Sequence, residues 1–285
     1  MGTRPVNPMA VDTESRRGHA ALVLRRVAGK SAVVSAFARD PLKLLTPIPR
    51  GEAVWAYLSS FGGGMVAGDE TALDLVLEPG ARAYVGTQSS TKIYRNPAGR
   101  ACGHRTHARL AEDTLLVLAP DVVQAFADSS YRQVQEFDLA PTAGLVLVDW
   151  LSSGRSECGE HWAFRRFESR NTVRVVGRRR LVDALVLDAD SGTLAGPGRL
   201  GSWRCLATVA LIGPSLAADA ARLAAVVQER PVDRSAAVTL SASRIPEGLV
   251  LRLAGREVEP VRLEWQRLLA PLADRLGDCP WSRKG

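Results

Sequence analysis

Cysteine is scarce and scattered in this chain. The four residues, Cys102, Cys158, Cys205 and Cys279, form no C-x-x-C pair, and such spacing suits reduced thiols better than a disulfide framework or a zinc site. No apolar run is long enough for a membrane span. The opening MGTRPVNPMAVDTESRRGHA also lacks the apolar centre of a secretory signal, so the expected compartment is the cytoplasm, with residues 1–18 as a flexible leader and no membrane partner. Met1-Gly2 opens like a myristoylation site, but Val6 stands where Ser or Thr is required. Two catalytic signatures are missing as well. LSSGR (151–155) is not the G-x-S-x-G nucleophile elbow, and nothing recognisable orients Cys158 and His161 as a thiol and its base. The net charge of +7 suggests an acidic partner, yet no aromatic nucleic-acid motif accompanies the arginines, which are densest at Arg165, Arg166, Arg170, Arg174, Arg178, Arg179 and Arg180. A solvated or partner-facing surface is the expected reading, without nucleic acid.

What the chain does have begins with FGGGMVAGDE (61–70). Gly63 and Gly68 carry the spacing of a phosphate-binding loop, but Asp69 and Glu70 replace its Lys and Ser/Thr. Two carboxylates there would repel a phosphate. A dinucleotide loop needs a helix directly after its glycines. Here Leu73, Leu75 and Leu77 alternate with Asp74, Val76 and Glu78 before Pro79-Gly80, which predicts a strand.

Short apolar runs separated by turn signals recur through the first two thirds of the chain, predicting strands near 20–27, 31–38, 53–60, 71–78, 81–87, 105–110, 114–119, 132–139, 144–151, 172–176 and 181–187. Helical periodicity emerges only late, over 214–230 and 259–276. No internal repeat is read, and the Gly-rich 191–203 is read as a loop rather than a boundary. The expectation is a mostly β, layered sheet structure, β-helical or sandwich-like, forming one domain over 19–285 with a few C-terminal helices.

Three acids are oddly placed. Asp149 in GLVLVDWLSSGR and Asp183 in RLVDALVLD interrupt runs that are apolar on both faces, the pattern of a doubly buried strand. A buried carboxylate requires hydrogen bonds, a cation or a metal; a structural pair with an arginine is the plain alternative. Asp69, closing a glycine loop, reads as a turn or cap residue. Cys102-x-His104-x-x-His107 gathers three metal donors, but on a strand Cys102 and His104 share one face and His107 takes the other.

Taken in order, GGGMVAGDE, TQSSTKIYR (87–95), PDVVQAFADSSY (120–131), VDWLSSGR (148–155) and GEHWAF (159–164) resemble the urease accessory protein family UreD, also called UreH. The match covers about 60 to 187, and the TQSSTK and DW-x-x-SGR forms are similar to the branch that includes eukaryotic members. The resemblance implies a largely β, layered fold with a helix pair and no enzymatic activity. It also implies a scaffold that docks on apo-urease, recruits UreF and the GTPase UreG, and assists insertion of Ni(II) into the urease site. No cofactor is expected to stay bound, only transient Ni(II). Family proposals of a polar internal nickel path fall on Asp69, Thr91, Asp149 and Asp183, with Cys102, His104 and His107 ranked below them. Oxygen ligands hold Ni(II) less tightly than imidazole or thiolate, as an ion in transit requires. A metal-dependent hydrolase using Asp69, Asp149 and Asp183 is the alternative.

Overall fold

Alternation every second residue dictates strands, and among residues 18–48, 51–96, 99–233 and 235–281, which the computed structural model describes, there are eighteen. They are β1 (His19–Val27), β2 (Lys30–Ala38), β3 (Leu42–Leu45), β4 (Val54–Ser60), β5 (Gly64–Met65), β6 (Glu70–Leu77), β7 (Arg82–Thr87), β8 (Thr91–Ile93), β9 (Cys102–Leu110), β10 (Leu115–Leu118), β11 (Val123–Ala125), β12 (Ser130–Leu139), β13 (Gly144–Ser152), β14 (Arg166–Val175), β15 (Arg178–Asp188), β16 (Cys205–Ile212), β17 (Val238–Ile245) and β18 (Gly248–Gly255). Helices α1 (Ala217–Gln228), α2 (Val258–Leu269) and the single turn α3 (Ala273–Leu276) join them. The predicted leader, except Gly18, lies outside the described residues.

From β4 onward the chain winds as a coil. Each circuit lays one strand in the larger sheet, a short strand across the third side, and one strand in a seven-stranded sheet: β4, β5, β6, then β7, β8, β9, then β10, β11, β12. The last circuit passes from β13 to β14 directly. Circuits stack parallel and in register, with Val54 beside Ala83, Ala83 beside Leu116 and Leu116 beside Leu145. The step is about thirty residues, the period of a solenoid. The structure therefore does contain a repeat where the sequence was read as having none, because stacked positions share geometry and not residue type. Thr71, His104, Gln133 and Ser169 are one such stack. Antiparallel strands flank the coil: β2 and β15 form the edges of the seven-stranded sheet, and β3 and β17 those of the larger one.

Three layers result. Leu75, Leu77, Leu110, Phe137, Leu145 and Leu147 fill the space between the sheets. Outside the larger sheet, Val146, Val148 and Trp150 of β13 pack under Leu223 of α1 and Val261, Trp265 and Leu268 of α2. This second core explains why β13 is apolar on both faces. Leu216, Leu223, Trp265 and Leu268 are all buried in it, and Val227 packs against it. Trp265 meets Trp150 and Trp281 edge-on at 5.8 Å each.

All eleven expected strands are present. The run 214–230 opens with a 3-10 turn at Pro214–Leu216 before α1, and 259–276 is broken by the turn Ala270–Leu272, where Pro271 cannot continue a helix. The short crossing strands β5, β8 and β11 carry too few residues to show a period. Strand β3 and strands β16 to β18 were also unread. Their clearest signal was Pro246-Glu247, the turn joining β17 to β18, with Glu247 at φ 63°.

Candidate functional site

The inward faces of β6, β9, β12 and β14 change character along their length. Toward the strands' C-terminal ends, Leu75, Ala108, Phe137 and Val173 form one apolar row and Leu77, Leu110, Leu139 and Val175 the next. Toward the other end the rows become polar. Thr71, His104, Gln133 and Ser169 form one; Thr106, Gln135 and Asn171 belong to the second, with Asp183 of β15 beside Asn171. Because the rows cross the strands, they run along the axis of the coil.

Facing them, β13 contributes Asp149 between Leu147 and Leu151, both core residues. Its carboxylate accepts from Gln133 Nε2 at 2.9 Å, Ser169 Oγ at 2.6 Å and Asn171 Nδ2 at 2.7 Å. All three donors are neutral. Two further bonds aim them: the Tyr131 hydroxyl donates to Gln133 Oε1 at 3.3 Å, and Gln135 Nε2 donates to Asn171 Oδ1 at 2.9 Å. The network thereby assigns both amide orientations.

Three cavities adjoin here. An interior one of about 90 Å³ is lined by Thr71, Thr91, His104, Thr106, Gln133 and Asp149, among others. A space of this size with polar groups on part of its wall can hold water. A second, of about 380 Å³, is lined by Asp149, Ser169, Asp183, Thr208 and Arg252. The third, an open depression of about 440 Å³, holds Asp40, Asp69, Glu70 and Tyr94 and shares Pro41 and Gly64 with the interior cavity. Asp149 borders two of the three.

The predicted residues are distributed along this series. Asp69 sits at the depression, where its Oδ2 accepts from Val66 N–H at 2.8 Å and closes a turn whose Gly68 has φ +80°. The glycine loop then enters β6, a strand and not a helix. Thr91 opens β8, and both it and Asp149 line the interior cavity. Asp183 joins Asp149 at the second cavity and pairs with Arg252 at 2.7 Å. The arginine alternative thus holds for Asp183 and not for the hydrogen bonds of Asp149. One expectation is corrected: β15 is an edge strand whose Val182 and Val186 are exposed, so Asp183 does not lie on a doubly buried strand. The hydrolase alternative needs Asp69 beside the other two acids, and it lines a different cavity from them.

Cys102, His104 and His107 do not converge. Cys102 and His104 face inward, while His107 faces outward and bonds Asp138 at 3.0 Å. Burial pushes the Cys102 thiol up to about 12, and its Sγ faces Ser130 C=O. His104 Nδ1 lies 2.8 Å from Thr71 Oγ1 and Nε2 3.2 Å from Thr106 Oγ1. Desolvation lowers its pKa to about 4, so the imidazole is neutral near pH 7. Among the described residues no three His, Cys, Asp or Glu side chains gather as a metal cage would require. In the arginine-rich hairpin, Arg166 pairs with Glu168 and Asp188, Arg174 with Glu136, and Arg180 with Glu247. Sequence reading missed Gln133, Ser169, Asn171, Thr71 and Thr106, since alternating polar residues on a strand ordinarily mark its solvent face.

A stacked β-coil with polar rows at one end of its interior and helices laid over one sheet is the class of protein these elements define. The chain belongs to the UreD family: the model of the UreD urease accessory protein matches residues 16–283. The chain is 45% identical over 270 residues to the urease accessory protein UreD of Sorangium cellulosum, covering 94% of this chain and 85% of that one. It is 39% identical over 268 residues to the UreD of Anaeromyxobacter sp., covering 94% and 90%. With the urease accessory protein D of Oryza sativa subsp. indica it shares 32% over 289 residues, covering 92% and 94%. The kinship extends beyond 60–187 to the leader's end and the C-terminal helices. Membership gives the chain a helper role in urease maturation. No helix among the described residues is long and apolar enough to cross a membrane.

Proposed function

We propose that this chain is a non-enzymatic scaffold that docks on apo-urease in the cytoplasm, recruits UreF and the GTPase UreG, and passes Ni(II) through its interior toward the urease active site. The observation that carries this reading is Asp149. It is an anion set between two cavities, held by neutral donors, so a cation arriving there need not displace an arginine. Asp69 would receive the ion at one end, Thr91 would line its way, and Asp183 would take it at the other in exchange with Arg252. Scattered oxygen donors fit a cargo that must leave again, whereas a closed Cys/His cage would retain it. The test is urease activation reconstituted with UreF, UreG and Ni(II), comparing Asp69→Asn, Asp149→Asn and Asp183→Asn with the unaltered protein. Reduced activation with pull-down of UreF and urease preserved supports transfer. Unimpaired activation by all three variants removes the interior from the mechanism.

A further inference from the structure

We propose that His104 is a nickel-ligating stop inside the interior cavity, and that its Nε2 gives the route its preference for Ni(II) over Mg(II); this rests on the transfer reading above. Thr71, His104, Gln133 and Ser169 form a continuous row across adjacent strands, and that row ends at the donors of Asp149. Apart from the Met65 thioether, the other metal-binding side chains lining the cavity are oxygen donors, among them Thr71, Thr91, Thr106 and Asp149. Hydroxyls and carboxylates suit Mg(II) as well as Ni(II), while imidazole favours Ni(II). A route of oxygen alone would discriminate poorly. His104 is the one imidazole among the lining residues.

The Nδ1–H tautomer is the one that keeps both contacts of Thr71. Thr71 Oγ1 donates to Gly103 C=O at 3.3 Å, which leaves an oxygen lone pair to accept from His104 Nδ1–H at 2.8 Å. Nε2 then carries its own lone pair, facing the rotatable hydroxyl of Thr106 at 3.2 Å. A ligating histidine whose other nitrogen is anchored in this way has a fixed ring and a fixed donor atom. Cys102, on the same face, turns its Sγ to Ser130 C=O at 3.7 Å and does not line the cavity. None of the other imidazoles lines this cavity: His19 bonds Asp74 at 2.6 Å, His107 bonds Asp138 at 3.0 Å, and His161, whose Nδ1 is buried, lies away from its walls.

The chain has four histidines, His19, His104, His107 and His161, so their ring nitrogens can be followed individually by NMR in the ¹⁵N-labelled full-length protein. On addition of paramagnetic Ni(II), the His104 Nε2 signal should broaden first. Broadening confined to the other three would overturn the proposal. Equilibrium binding of Ni(II) and Mg(II) to the wild type, His104→Gln and Asp149→Asn gives the second arm. His104→Gln should weaken Ni(II) by about ten-fold or more and leave Mg(II) unchanged, while Asp149→Asn weakens both. If His104→Gln binds Ni(II) as the wild type does, the assignment fails. Impaired urease activation by Asp149→Asn with normal activation by His104→Gln would overturn the stop and leave transfer standing. If neither variant impairs activation, transfer itself fails, and the NMR titration separately decides whether His104 binds nickel.

Discussion

Replacing Asp149 by Asn removes one charge and turns one acceptor oxygen into a donor NH₂. The retained oxygen can still accept from Gln133 Nε2. Ser169 Oγ, which donates in the native protein, can rotate its proton away and accept. Asn171 Nδ2 cannot reverse, because its partner oxygen is committed to Gln135. One donor therefore meets another, and an unsatisfied buried polar group costs about 1–3 kcal/mol. Water from the adjoining cavity keeps the cost toward the low end. Against a typical total of about 5–15 kcal/mol the variant should fold, with its melting temperature lowered by roughly 2–5 °C at this chain length. The assay pairs thermal melts with the reconstituted urease activation. Activation should fall well beyond what the remaining folded fraction explains. A variant that melts low and activates in proportion to its folded fraction would refute a transfer role and return Asp149 to a purely structural one.

Three further outcomes are expected. With its pKa lowered to about 4, His104 stays neutral while the unfolded chain's histidine protonates below about 6.5, so stability falls as pH drops across that window by up to about 3 kcal/mol; metal-free melts should show His104→Gln lacking this portion of the loss, and parallel pH profiles would contradict it. The protein should neither bind nor hydrolyse GTP, because Gly68 leads to Asp69, Glu70 and a strand; calorimetry checks binding, and turnover abolished by Gly68→Val would refute the statement. Trp265→Ala removes a side chain only 3% exposed between Trp150 and Trp281 and should cost about 3–5 kcal/mol in denaturant unfolding; a midpoint unchanged from wild type would show that the helical layer is not part of the cooperative core.

How much was legible depended on which side of a strand carried the information. Alternation in β6, β9 and β12 announced strands whatever faced inward, so the layered β architecture was readable from period alone. The coil was not. Its order depends on partners about thirty residues away, and the stacked residues differ from circuit to circuit, as Thr71, His104, Gln133 and Ser169 do. Asp149 was conspicuous because every neighbour in GLVLVDWL is apolar. Gln133 and Gln135 were not, since YRQVQEFDL mixes polar residues on both faces and only the register shows that the glutamines point in and Arg132 out. Asp183 was conspicuous for the wrong reason, its strand being an exposed edge.

The stacking of circuits in register has a consequence for how such a chain can change length. Side chains alternate, so one residue inserted within β12 would turn Gln133 and Gln135 outward and carry Arg132 and Val134 into their places, breaking the polar row at one rung. The same insertion between Ser152 and Arg166, where β13 crosses to β14 without a third strand, would be taken up by a loop and leave both strands in register. Insertions and deletions among relatives should therefore gather at the corners of the coil, leaving strand lengths and parity untouched, even where the residues that line the interior are exchanged.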